Sequence, residues 1–279
     1  MVMTIKPNGY GGFIVAQRLQ KPVIYLDHWA IRMFSDVQEV QNRFIAALHR
    51  AGATWLFSQL NLFEFVGMTD LQQATASEAL LLRAMPNLHV ADMTMDKGYL
   101  LPNGSPHHPD APDEQWILQD LGERAYIAGG AWNTHRFLTD CITHREKLLP
   151  LYEEMKADWV ARVKAMAQDS ERVARAHKFM PTAEMNPRDA LAQELPREPI
   201  LNPKYNFDGN DSMDLLHTLA PAVVCDFALL DGQWRHRLDS ATKRLRKGGI
   251  TGNLPKPYEK RMVPEFLAAL EALPKATAE

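Results

Sequence analysis

The chain has 279 residues, 46% of them hydrophobic and 23% charged, with a formal net charge of −3 and a pI near 6.4. That balance fits an ordinary globular protein with one large core, or a core carrying a sizeable insertion, and it is not the balance of a strongly basic nucleic-acid binder, although local patches can still bind phosphate. No run approaches the roughly 20 apolar residues of a membrane span, and Cys141 and Cys225 are too few and too far apart for a disulfide framework or a structural zinc site.

The first 20 residues read as a flexible lead with a short apolar patch, Phe13-Ile14-Val15. Lys6, Asn8 and three glycines by position 12 leave no apolar stretch of signal-peptide length, so a cytoplasmic protein is expected. Pro22 precedes Val23-Ile24-Tyr25-Leu26, a continuous apolar run that predicts a strand buried on both faces and ends in Asp27. Val37, Val40, Phe44, Ala47 and Leu48 recur at helical spacing, and Gly52 stops that helix. Thr54-Trp55-Leu56-Phe57 predicts a second buried strand, and Ser58 caps a helix that carries Glu64 and stops near Gly67. Strand, helix, strand, helix is the alternation of an α/β core with a parallel sheet.

Residues 71–85 and 114–180 read mostly as helix, separated by a polar, Pro-rich loop from Leu101 to Asp113. Residues 181–208 hold five prolines and read as a linker or wrapping arm. The α/β pattern resumes with a helix from Asp211 to Ala220, limited by Pro221. Then comes an apolar strand, Phe227-Ala228-Leu229-Leu230, that also ends in an acid, Asp231. A helix with Trp234, Leu238 and Leu245 follows, Gly248-Gly249 break it, and Pro264 to Leu273 forms a last amphipathic helix. The expected organisation is a discontinuous α/β domain, 21–68 with 209–273, split by a mostly helical insertion and connecting arm over 69–208.

Ligands of open α/β sheets bind beyond the C-terminal ends of the strands, and Asp27 and Asp231 occupy such ends. Helices supply further acids. Glu64 lies in an otherwise apolar turn. Asn210, Asp214 and His217 are spaced i, i+4, i+7 on one helix face, flanked by Asp211, while Met213, Leu216 and Ala220 line a second face and Leu215 and Leu219 a third. A narrow polar stripe on a helix otherwise apolar points into a cleft. Carboxylates gathered there repel unless some are protonated or a divalent cation binds, and an all-oxygen donor set suits Mg2+ or Mn2+. The chemistry this predicts is metal-assisted phosphate transfer, with nucleic acid as a natural substrate. His217 reads either as a structural histidine or as a substrate contact. Lys243, Arg244, Arg246 and Lys247, with Lys256, Lys260 and Arg261 beyond, form a local basic stretch that is either a solvated face or an RNA-backbone contact. Asp226 reads as structural. His107-His108-Pro109-Asp110 has no matching ligand spacing, and His135 and His144 read as surface or packing residues.

Val23 to Asp27, Ser58 to Glu64, Asp214-Leu215-Leu216-His217 and Cys225 to Asp231 together resemble the four acidic motifs of PIN-domain ribonucleases. The resemblance covers about 21–68 and 209–247 and leaves the insertion without a counterpart. It implies a three-layer α/β domain with a central parallel sheet and Mg2+- or Mn2+-dependent endonucleolytic cleavage of RNA. Asp27, Glu64, Asp214 and Asp231 would be the catalytic metal ligands, with Asp211 an additional or substitute one. Many proteins of this type are toxins of toxin–antitoxin pairs. The chain departs from the pattern where the family carries a small hydroxyl residue or Asn after the first Asp; here His28 and Trp29 follow. Leu229 replaces the Thr common two residues before the last Asp. Those departures motivate a second reading, a degenerate PIN-like binding or assembly module whose insertion meets a protein partner. Homo-oligomerisation stays open. A phosphatase with an aspartyl nucleophile is disfavoured, because its usual Asp-x-Asp pair would place an acid at Trp29.

Overall fold

A computed structural model describes residues 2–91, 115–251 and 254–276; the expected loop from Leu101 to Asp113, with its His-His-Pro-Asp sequence, lies outside the described residues. The chain divides into two compact units, Met1–Arg145 with Arg261–Glu279, and Glu146–Lys260. Both are α/β, and among the described residues no helix is long and apolar enough to cross a membrane.

The first unit opens with an antiparallel hairpin, β1 (Met3–Pro7) and β2 (Phe13–Gln17), where a flexible lead is expected. The turn explains the difference. Asn8 Oδ1 accepts the amides of Tyr10 and Gly12, and Gly9 and Gly11 take positive φ values of 78° and 85°, backbone that other residues adopt only with strain.

β3 (Val23–Leu26) is buried throughout, as its unbroken apolar run predicts. It pairs in parallel with β4 (Thr54–Ser58), Ile24 opposite Trp55. The crossover holds two helices, α1 (His28–Asp36) and α2 (Gln38–Ala51). Sequence periodicity identifies α2 but not the short α1, which buries Ala30, Ile31 and Phe34. Gly52, at φ 58°, ends α2 by donating its amide to the carbonyls of His49 and Leu48.

β4 leads into α3 (Gln59–Val66) and α4 (Leu71–Ala84). The chain then returns as β5 (Leu88–Ala91), parallel to β4 with Trp55 opposite Leu88. β5 is thus a strand, lying between the expected helices, within the stretch assigned to a mostly helical insertion. Its Val90 is clamped by a side chain that imitates a neighbouring strand: Gln17 Nε2 donates to the Val90 carbonyl at 2.7 Å, and the Val90 amide donates to Gln17 Oε1 at 2.9 Å. Blunting the ladder groups of a strand in this way guards against unwanted pairing. α5 (Gln115–Ile127) and α6 (Thr139–Thr143) complete this stretch.

The second unit begins with α7 (Arg145–Gln168) and α8 (Ser170–Lys178), the latter capped by Asp169. The Pro-rich arm is not bare linker, since it forms α9 (Pro187–Glu194) and α10 (Arg197–Leu201). α11 (Gly209–Val224) runs past Pro221, which was expected to limit it. A proline this close to the end removes one ladder bond, and the final turn is closed by the Cys225 amide on the Pro221 carbonyl at 2.9 Å.

β6 (Phe227–Leu229) pairs in parallel with β7 (Lys256–Tyr258), separated by α12 (Gly232–Lys247). β7 escapes sequence reading because Pro257 argues against a strand. The ladder runs through the Lys256 amide and the Tyr258 carbonyl, so the missing proline amide costs no bond there. α13 (Val263–Glu271) returns to the first unit. Its Phe266 lies 6.2 Å from Phe34 and 6.4 Å from Phe44, and Phe44 meets Trp55 edge-on at 5.6 Å. This cluster binds α1, α2 and α13 to the sheet face at Trp55 of β4.

Candidate metal centre

In the first unit the end of β3 and the start of α3 are joined by buried polar contacts. Ser58 and Asn61 form a capping box, in which Asn61 Oδ1 accepts the Ser58 amide at 2.9 Å and Ser58 Oγ at 3.0 Å. The Asn61 Nδ2 donates to the Leu26 carbonyl at 3.2 Å, and Tyr25 Oη lies 3.1 Å from Ser58 Oγ. Each of Ser58 and Asn61 is fully buried. This network fixes α3 against the residue that precedes Asp27. Sequence reading finds the Ser58 cap but not the role of Asn61, although Ser-x-x-Asn is a variant of the capping-box spacing.

Asp27 is 5% exposed, and its Oδ1 accepts the His28 amide at 2.7 Å. Glu64, one turn beyond the Ser58–Asn61 corner, brings a carboxylate oxygen within 4.8 Å of one from Asp27. His28 stands beside both, with Nδ1 3.5 Å from Glu64 Oε2. The structure therefore brings together two of the predicted acids at the C-terminal ends of neighbouring parallel strands. Two ligand oxygens held at about 2.0–2.6 Å by one cation lie up to roughly 4–5 Å apart, so the Asp27–Glu64 pair could share a divalent ion.

The other predicted acids belong to the second unit. Asp214 is half-buried on α11, and His217, one turn on, is buried. Asp211 carries out two structural tasks. It accepts Tyr205 Oη at 2.5 Å and, through its second oxygen, the Asp208 amide at 3.3 Å, closing the α11 capping box. Burial, reinforced by the hydrogen bond to Asp211, pushes the Tyr205 phenol up, and the Arg237 guanidinium lies 4.8 Å over its ring. Asp231 is exposed and caps α12, accepting the amides of Gln233 at 2.8 Å and Trp234 at 3.4 Å on one oxygen. The half-buried Asp226 accepts the Lys256 amide on its main-chain carbonyl.

The basic stretch occupies the last turns of α12. Lys243 is exposed and pairs with Asp239 at 2.7 Å. Arg244 turns inward, donating to the Phe179 carbonyl at 2.8 Å and pairing with Glu194 at 3.1 Å, where burial pushes the Glu194 carboxyl up against the pull of Arg244 and Arg197. Arg246 and Lys247 are exposed at the negative end of the helix dipole. His135 and His144 are exposed. Comparison of the chain with protein-family models, with curated proteins and with solved structures finds no match.

Proposed function

We propose that the protein is a metal-dependent endoribonuclease of three-layer, PIN-like type, in which Asp27 and Glu64 hold a Mg2+ or Mn2+ ion. The observation that carries this reading is the pairing of a buried strand-end carboxylate with a second carboxylate within 4.8 Å. Two such anions repel each other unless a cation is shared between them. The ion supplies an activated water and neutralises charge on the phosphodiester. By the resemblance, Asp214 and Asp231 would be the further acids of the set. Asp211 contributes by capping α11, which carries Asp214. Arg246 and Lys247, with Lys243, hold the RNA backbone, and His217 supports the Asp214 face. A cytoplasmic protein acting on RNA fits this chemistry.

A second reading, a binding or assembly module with a degenerate site, draws support from His28 and Trp29 beside Asp27 and from the inward commitment of Arg244 and Asp211. Incubating purified protein with an RNA pool and Mn2+ separates the two. Cleavage that disappears on chelation and in Asp27→Asn and Asp214→Asn is expected. Equal cleavage by all three proteins, or cleavage that survives complete chelation, would sink the nuclease assignment. Tight RNA binding without cleavage would favour the module.

A further inference from the structure

We propose that His28 is the positioning residue of this centre and sets the orientation of both carboxylates; the inference rests on reading Asp27 and Glu64 as metal ligands. His28 is the first residue of α1, so its amide is one of the helix's unpaired donors, and it is given to Asp27 Oδ1 at 2.7 Å. The side chain of the same residue turns to the neighbouring helix, where Nδ1 faces Glu64 Oε2 at 3.5 Å. The ring is held in that direction. Its side chain is 12% exposed, and it packs on Phe65 with centroids 4.7 Å apart and planes tilted by 34°; Phe65 is itself fully buried.

One residue thus hydrogen-bonds the first acid through its backbone and sets its ring nitrogen 3.5 Å from the second. A serine or threonine at this position could supply the amide, but its hydroxyl sits nearer the backbone than Nδ1 and gives less reach toward α3. The imidazole spans that distance. Partners that hold ligating carboxylates in place from behind raise metal affinity. The departure from the acidic-motif pattern at position 28 is then a substitute means of orientation, and it need not signal a degenerate site.

A purely structural histidine would act through its stacking on Phe65, and two substitutions separate the roles. His28→Phe keeps the ring and removes the nitrogen. His28→Asn removes the ring and keeps an amide nitrogen near the Nδ1 position. Mn2+ affinity of the full chain is read by titration calorimetry, with thermal melting alongside and Asp27→Asn as the reference. The Phe variant is expected to melt like wild type and to bind Mn2+ roughly tenfold to a hundredfold more weakly, while the Asn variant retains the larger share of the affinity. Wild-type affinity in the Phe variant, or a loss confined to the Asn variant, overturns the proposal while leaving the metal reading intact, provided Asp27→Asn has lost binding. If wild type binds no Mn2+, or Asp27→Asn binds it equally, the metal reading fails and this proposal fails with it.

Discussion

His89 offers a test of the packing that does not depend on any function. It sits in β5, opposite Leu56 in the parallel ladder, and is 5% exposed, with neither ring nitrogen hydrogen-bonded among the described residues. Charging an imidazole there removes its hydration without replacement, and burial accordingly pushes the His89 pKa down from 6.5 to about 4. The sign follows directly. Between pH 6.5 and 4 the unfolded chain takes up a proton that the native chain refuses, so the stability present above pH 6.5 drains away as the pH falls. The full loss is roughly 3 kcal/mol, of which about 2 kcal/mol is reached by pH 5. His89→Leu removes the titration at similar volume. Urea unfolding of both proteins at pH 7.5 and pH 5.0 gives four free energies, and the difference of differences isolates His89 from every other titrating group. The wild type should lose about 2 kcal/mol more than the variant on acidification. An unchanged gap, or a gap that shifts in favour of the wild type at pH 5.0, would refute the argument that His89 is buried neutral.

Glu78 is 4% exposed on α4, and its carboxylate accepts the amides of Arg136 at 3.1 Å, Leu138 at 2.8 Å and Thr139 at 2.7 Å, together with Thr139 Oγ1 at 3.0 Å. Glu78→Ala should cost about 3 kcal/mol in urea unfolding, because the buried amides lose a charged acceptor, and should speed amide exchange at Leu138 and Thr139; an effect below 1 kcal/mol would show that the loop is held by other contacts. Asp231 combines a helix cap with a proposed ligand role, and Asp231→Ser separates them. Serine keeps the cap to within a few tenths of a kcal/mol, so melting should hold while Mn2+ affinity falls, whereas unchanged affinity would leave Asp231 as a cap alone.

How much was legible follows from what each segment must do. β3 and β4 announce themselves because strands buried on both faces need unbroken apolar runs, and Val23 to Leu26 and Thr54 to Phe57 are such runs. The helices α2, α3, α4, α12 and α13 follow from their spacing and stops. β5 is harder, with four residues that include a histidine, and β7 harder still with its proline; each is made a strand by pairing with a distant neighbour. The Asn8–Gly9 turn of the first hairpin carried a usable signal, which the short, partly polar strands around it obscured.

The acids pose a subtler problem. A carboxylate between a parallel strand and the helix after it satisfies two demands at once, for an acceptor at the helix start and for a ligand at the strand end. Sequence cannot separate them, because both select Asp at the same place. Asp27 and Asp231 are such a pair, each following an apolar strand and each opening a helix. Solvent makes the distinction. Asp231 is exposed, and water can satisfy whatever its cap bonds leave over. Asp27 is 5% exposed with the Glu64 carboxylate within 4.8 Å, and holding a buried anion beside a second one is costly for a cap alone. The neighbouring carboxylate, more than position in the motif, is what makes Asp27 the stronger candidate ligand of the two.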